Sequence, residues 1–261
     1  MNNRHSDMTV TILGSGTCVP SLARSASSAL IKTGNARILV DCGPGTMHRL
    51  LEAGCSIHDV THLFLTHFHP DHSSELVPFL FATKYPDRHS RARALTLAAG
   101  KGFLKFFEGL KTVYGTWIDI GQQLKPVIEM GAAGVETRRM DCFHLTSVPV
   151  AHNEESIAYR VDDLKGHSLV YSGDTDYTEN LVALARHADL FICESALPDS
   201  LHAKGHLTPS LAGKMAAKAG VRKLILTHFY PECDRADIAA ECRRTYDGPL
   251  VLAEDLMEIK I

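Results

Sequence analysis

The segment His67-Phe68-His69-Pro70-Asp71-His72 puts four metal-type side chains within six residues, at the end of a predicted strand over 61–67. A His-x-His pair on a loop after a strand can set two imidazoles on one metal. Asp71 and His72 then supply ligands for a second metal close by. Two nitrogen- or oxygen-ligated sites within about 4 Å form the two-metal hydrolytic arrangement. Imidazole and carboxylate ligands suit zinc, iron or manganese. The stretch is echoed later: LTHFHP spans residues 65–70 and LTHFYP spans 226–231. The echo reads as two equivalent strand ends in two similar halves. The second copy keeps only His228 as a ligand. Tyr230, Glu232 and Cys233 stand where further ligands would be, and neither Glu232 nor Cys233 is expected to bind metal.

The rest of the chain alternates in the same style. Short β-branched runs predict strands over 9–13, 28–33 and 36–43, a helix over 46–54, a strand over 94–100 and a helix over 102–110. After HFHPDH, Leu76, Phe79, Leu80 and Thr83 recur at helical spacing, so Phe79, Phe81 and Tyr85 belong to a helix with a packed face. Residues 112–140 carry no clear periodicity. Strands follow over 143–152, 156–163 and 167–174, then a helix over 178–187 with Thr178 as N-cap. A strand over 189–195 leads to a helix bounded by Thr208, Pro209 and Gly220. A strand over 223–228, a helix over 235–245 and a last strand complete the pattern. Two sheets face to face with helices outside them satisfy it, in a single domain over 1–261.

Bulk properties exclude several classes. Net charge is −3, which gives no global attraction to nucleic acid or an anionic membrane. No apolar run approaches the roughly 20 residues of a membrane span, and the start MNNRHSDM lacks an apolar leader. The reading is of a soluble, cytoplasmic protein. Seven cysteines without a CxxC pair argue against a disulfide framework or a zinc ribbon. Fifteen histidines point instead to metal chemistry, with His5, His89, His187 and His202 read as surface residues.

Other strand ends carry matching groups: Asp41 in LVDCGPG, His152 in VPVAHN, Asp174 in VYSGDTD and His228 in LILTHF. Asp41, HFHPDH, His152, Asp174 and His228 resemble, in order, the five motifs of the metallo-β-lactamase fold superfamily. The resemblance runs from about residue 9 to the C-terminus and implies a four-layer αββα sandwich. It also implies that His67, His69 and His152 hold one metal, that Asp71, His72 and His228 hold the other, and that Asp174 bridges them. Asp41 would orient the cluster from behind.

Within that superfamily, LGSGTCVPSLARSASSALI (13–31) and CESALPDSLHAKGHLTP (193–209) resemble ribonuclease Z and its relatives. By itself GSGTCV is a glycine turn lacking the third glycine of a dinucleotide fingerprint. The second segment implies that His206 protonates the leaving oxygen and that Glu194 polarises it. It reads HLT where the family reads HST. The Gly/Pro-rich basic arm of bacterial ribonuclease Z is not seen, and residues 112–140 offer only Lys125, Arg138 and Arg139 as cations. The expected activity is a dinuclear phosphodiesterase with two divalent ions, zinc foremost. A metal-bridging hydroxide would attack phosphorus, Asp71 would help orient it, and Arg24 would contact the substrate phosphate. A small-molecule or nucleotide phosphodiester fits this better than tRNA, and homodimers occur among relatives. Hydrolysis of a carboxylic ester, lactone, thioester or sulfate ester stays open, as does a non-catalytic metal-binding scaffold.

Overall fold

The computed structural model describes residues 8–84, 91–131 and 134–261. The expectations placed on His5, Tyr85, His89 and the first seven residues lie outside that range.

Three antiparallel strands open the first sheet: β1 (Thr9–Gly14), β2 (Ser28–Thr33) and β3 (Ala36–Val40). Helix α1 (Thr46–Glu52) then crosses to the parallel strand β4 (His62–Phe64). The short α2 (Pro70–Ser73) and α3 (Leu76–Lys84) lead to β5 (Thr96–Ala99), and α4 (Phe103–Tyr114) leads to β6 (Ile128–Glu129). The second half repeats the plan. Strands β7 (Glu136–Arg139), β8 (Phe143–Pro149), β9 (Ile157–Asp163) and β10 (Ser168–Tyr171) run antiparallel. Helix α5 (Glu179–Leu184), β11 (Leu190–Glu194), α6 (Pro209–Ala219), β12 (Leu224–Thr227), α7 (Ile238–Arg243) and β13 (Leu250–Leu252) then alternate. Strand β14 (Glu258–Lys260) returns to pair with β1.

Each sheet has seven strands, in the orders β14-β1-β2-β3-β4-β5-β6 and β13-β12-β11-β10-β9-β8-β7. Strands buried on both faces read as near-continuous apolar runs, as β2 does. Ala29 and Ile31 face the other sheet in one core with Phe64, Tyr159 and Val161. Leu30 and Leu39 face the opposite way, against Leu50, Leu76, Phe79 and Phe103 of the covering helices. Helices α5, α6 and α7 cover the second sheet through Leu181, Met215 and Cys242. This is the αββα sandwich of two similar halves. Thr178 caps α5 by accepting from the Asn180 N–H, and Gly220 closes α6 at φ 64°. The stretch 112–140, unreadable as sequence, holds among its described residues the end of α4, two 3-10 turns and the short edge strands β6 and β7.

One expectation is corrected by the strand order. The two LTHF strands are not counterparts. Each sheet passes from antiparallel to parallel at a junction strand, β3 in one and β10 in the other. Strand β4 lies next to its junction, whereas β12 lies one strand further out, so β4 corresponds to β11 and β12 to β5. The repeated letters report a strand that ends in a histidine turn. They do not report its place in the sheet.

His62 opens β4 at the end remote from the histidine cluster. Its ring packs edge-on against Phe143, with centroids 5.1 Å apart. Burial lowers its pKa to about 4. The unfolded chain binds this proton below about pH 6.5, whereas the folded chain resists it. Stability should therefore fall as pH drops through that window, by up to about 1.4 kcal/mol per pH unit. In His62→Leu, the stability lost between pH 7 and pH 5 in denaturant titrations should shrink by about 2 kcal/mol. An unchanged loss would mean that His62 does not stay neutral in the fold.

Candidate metal centre

The candidate ligands come from strand ends on one edge of the sandwich. His67 lies just past β4, His152 past β8, Asp174 past β10, and His228 directly follows β12. Asp41 directly follows β3. Asp41 and His228 have φ of 61° and 62°, a region that non-glycine residues seldom occupy and that concentrates at functional sites. Gly173 lets the next residue come in close, since a Cβ there would sit 2.6 Å from Thr66 Cβ. Gly43 does the same beneath the loop: a Cβ would meet the Asp71 carbonyl oxygen at 1.7 Å. The Phe68 ring stacks on Phe106 of α4 at 4.5 Å and 9°, which pins the HFHPDH loop from outside.

Asp174 is the meeting point. Its Oδ2 lies 3.7 Å from His67 Nε2 and 3.9 Å from His152 Nε2, while Oδ1 lies 3.3 Å from His72 Nε2 and 3.2 Å from His228 Nε2. His69 Nδ1 approaches His152 Nε2 at 3.3 Å, and Asp71 Oδ2 lies 3.8 Å from both His72 Nε2 and His228 Nε2. Thus His67, His69, His152 and Asp174 have atoms close enough to hold one ion, and Asp71, His72 and His228 a second. The arrangement fits divalent cations on its own chemistry. His67 Nε2 and Asp174 Oδ1 are buried without a hydrogen-bond partner. Buried acceptors converging without donors cost free energy unless a cation satisfies them.

A layer behind these groups fixes the ring orientations. Asp41 accepts from the Thr66 N–H at 2.7 Å, the Thr66 hydroxyl at 3.0 Å and His72 Nδ1 at 2.8 Å. With its proton given to Asp41, Thr66 Oγ1 accepts from His67 Nδ1 at 3.0 Å. His67 Nε2 then faces the centre as a lone pair, and His72 Nε2 is the ring nitrogen turned to the centre, open to a cation that displaces its proton. His152 Nδ1 donates to the Gly205 carbonyl at 2.8 Å, and His69 Nε2 meets the Asn153 side-chain amide at 3.1 Å. Sequence reasoning missed Thr66, Asn153 and Gly205. Only Thr66 left a signal, as the second letter of the repeated LTHF. Burial opposes charge on His72, but Asp174 and Asp41 outweigh it and hold its pKa well above the ordinary value. Burial, with His72 and the other imidazoles beside it, holds His67 well below it against the pull of Asp174.

Glu194 and His206 also meet, with Nδ1 to Oε1 at 3.1 Å. Glu194 is buried and accepts from the N–H groups of Thr175 at 2.7 Å and Ala196 at 3.2 Å. Against the pull of desolvation, Glu194 raises the His206 pKa to about 9. His206 Nδ1 lies 4.0 Å from Asp174 Oδ2, so with Asp174 and His228 it completes a third overlapping group. That nitrogen is engaged by Glu194, and the ring stacks on His228 with centroids 5.6 Å apart.

Arg24 does not reach the centre as expected. Its Nη1 donates to Ser15 Oγ at 2.8 Å and to the Ala253 carbonyl at 2.9 Å, its Nη2 pairs with Asp234 at 3.1 Å, and its plane covers Phe229 at 5.0 Å. It braces the loop after β1 against the C-terminal segment. Cys233 is buried, donates to the Ser195 and Ala196 carbonyls and is pushed up to about 12 by burial. Glu232 is exposed. Phe79 is fully buried while Phe81 is 43% exposed, so the packed face takes only the first. His187 and His202 are exposed, the latter 3.7 Å from Asp176. No helix among the described residues is long and apolar enough to cross a membrane.

Fold and site together define a metal-dependent hydrolase of the metallo-β-lactamase type. Residues 36–229 match the family model described as Beta-lactamase superfamily domain, and the chain belongs to that family, with a ribonuclease Z-like character. A protein of Mycobacterium tuberculosis strain H37Rv is 31% identical over 258 residues, covering 96% of this chain and 92% of the relative. The ribonuclease Z of Methanothermobacter thermautotrophicus is 27% identical over 305 residues, covering 97% of each. Among solved structures, the metallo-β-lactamase fold protein YhfI of Bacillus subtilis superposes with a TM-score of 0.83 at 23% identity, over 98% of this chain and 100% of that one. The short form of human tRNase Z gives 0.77 at 23% identity, over 97% and 99%.

Thr66→Val removes the hydroxyl that joins Asp41 to His67 while keeping the side-chain shape. The expected result is a loss of divalent-metal affinity of about 10–100-fold, the usual cost of losing an outer partner, read by competition with a chromogenic chelator. Unchanged affinity would show that the Asp41–Thr66–His67 chain does not position the ring.

Proposed function

We propose that the chain acts as one domain, a dinuclear metal-dependent phosphodiesterase whose substrate is a small-molecule or nucleotide diester. The observation that carries this reading is the division of Asp174: one carboxylate oxygen faces His67 and His152, the other faces His72 and His228. His67, His69 and His152 would hold one ion, Asp71, His72 and His228 the other, with Asp174 common to both. Zinc is the first candidate, and iron or manganese suit the same donors. Such ions supply an acidified water and stabilise negative charge on the attacked ester.

The chain's own residues do the rest. Asp71, at the rim of the second ligand set, accepts a hydrogen bond and so orients the attacking water. Asp41 and Thr66 hold two imidazoles in the correct tautomer. His206 delivers a proton to the departing oxygen, and Glu194 keeps Nδ1 protonated so that Nε2 is turned to the substrate. A proton donor matters most when the leaving group is a poor one, such as a sugar hydroxyl. The relatives named ribonuclease Z support phosphodiester chemistry. The chain's net charge of −3 favours a small diester over a large RNA.

Activity is tested with aryl and alkyl phosphodiesters beside carboxylic-ester, sulfate and β-lactam substrates. Asp174→Ala should lose metal and turnover together. His206→Ala should keep its metal, measured by atomic emission, yet slow alkyl or nucleoside diesters by about 10²–10⁴-fold. The same variant should lose far less on a nitrophenyl diester, whose leaving group needs no proton. Equal loss on both substrates would remove the general-acid role from His206. Turnover of carboxylic or sulfate esters alone would overturn the phosphodiesterase reading.

A further inference from the structure

Strands β3 and β4 have a second functional-looking end. Arg37 is the second residue of β3 and Asp41 follows the strand, so at about 3.3 Å per residue the two stand roughly 13 Å apart. At the Arg37 end, Lys32 of β2 and Arg37 of β3 are direct cross-strand partners. Like charges directly opposite one another destabilise an antiparallel pair. Both side chains fall on the helix-facing side of the sheet, in step with Leu30 and Leu39, beyond the end of α1. Arg93, entering β5, closes on the same place. The three cations line a cavity of about 390 Å³ that also takes in Asn35 and Asp59.

One carboxylate, Asp59, stands against these three cations, close enough for Arg37 to help the Ser56 hydrogen bonds hold its pKa down. Arg37 Nη1 donates to the Ala36 carbonyl and Arg93 Nη1 to the Asn35 carbonyl at 3.5 Å. Among the described residues, none of Lys32, Arg37 and Arg93 forms an ion pair, and Asp59 is the one carboxylate lining the cavity. Asp59 Oδ2 already accepts from the Ser56 N–H at 2.9 Å and the Ser56 hydroxyl at 2.8 Å. A second cavity, of about 380 Å³, shares Asn35, Thr61 and Arg93 and adds one charge of each sign, Lys125 and Asp141. Three cations against one carboxylate in a single concavity, none of the three in an ion pair among the described residues, fit an anionic ligand.

We propose that this cavity binds a phosphate-bearing small molecule, with the phosphate between Lys32, Arg37 and Arg93. Arginine and lysine converging on one point suit phosphate oxygens. The volume, at the lower end of small-ligand sites, admits a nucleoside phosphate or a free phosphate and not a duplex. The site is separate from the histidine cluster and does not depend on the reaction proposed for it.

The test is calorimetric titration of the full-length, metal-loaded protein with inorganic phosphate and with ADP. The double variant Lys32→Gln/Arg93→Gln should weaken binding by about tenfold or more while hydrolysis of a nitrophenyl phosphodiester stays unchanged. Lys32→Arg, which keeps the charge, should retain affinity. Tighter binding of ADP than of phosphate would identify a nucleotide ligand, and equal binding would identify the phosphate group itself. Both outcomes support the site. Binding that survives in the double variant belongs to the metal centre and overturns the proposal, as does no binding to the wild type. Capture of single-stranded RNA by the wild type but not the double variant, with no binding of ADP or phosphate, would overturn it in favour of an RNA contact.

Discussion

Asp174 is a buried carboxylate that the fold must keep charged. Burial raises its pKa, yet His228 and His72 beside it reverse the balance and hold it well below the carboxylate range. An isolated carboxylate would not survive in such surroundings as an anion. It does so here because imidazoles approach both oxygens. Those imidazoles are in turn too close for comfort, with His72 Nε2 and His228 Nε2 at 3.4 Å. Each group is tolerable only with the others in place, which makes the centre one cooperative unit whose donor set suits divalent cations. The two-sheet architecture is what brings these groups together: five strand ends open at one edge, and none of the five could assemble the cluster alone.

Rigidity behind the cluster matters as much as the ligands. Asp41 is fully buried and reaches His72 directly and His67 through Thr66. One carboxylate therefore sets two ring tautomers; burial pushes its pKa up, and the His72 and Thr66 donors only partly oppose that. The second half uses a different device. His152 is held by the backbone carbonyl of Gly205, the residue before His206. Anything that shifts this loop moves a candidate ligand and the candidate acid together.

Legibility in the sequence followed a physical divide. Asp41, the HFHPDH group, His152, Asp174 and His228 could be read because each is a polar residue closing an apolar run, and local pattern records strand ends well. The sandwich could be read because both halves list their strands and helices in the same order. What failed depends on contacts distant in the chain. The repeated LTHF looked like internal symmetry, yet strand order sets β4 against β11, because pairing partners are chosen by the whole sheet. Arg24 looked free for a phosphate, yet its guanidinium meets Asp234 and the Ala253 carbonyl, more than 200 positions away. Strands β6 and β7 went unread because they are short, and half-buried or exposed edge strands carry little alternation.

The corrected symmetry explains the division of roles better than the repeat did. With β3 matched to β10 and β4 to β11, Asp41 and Asp174 both follow junction strands, while His67 lies in the turn after β4 and Glu194 closes β11, the next strands out. In each half a junction carboxylate meets a group carried by the adjacent strand. In the first half the carboxylate stays behind the rings and the histidine points to the centre. In the second the carboxylate enters the centre, and Glu194 retreats behind His206. The two halves thus use the same pair of strand ends with front and back exchanged. That exchange gives one side of the cleft a dense set of candidate ligand atoms and the other a histidine backed by a buried acid, the asymmetry that the proposed hydrolysis draws on between attack and departure.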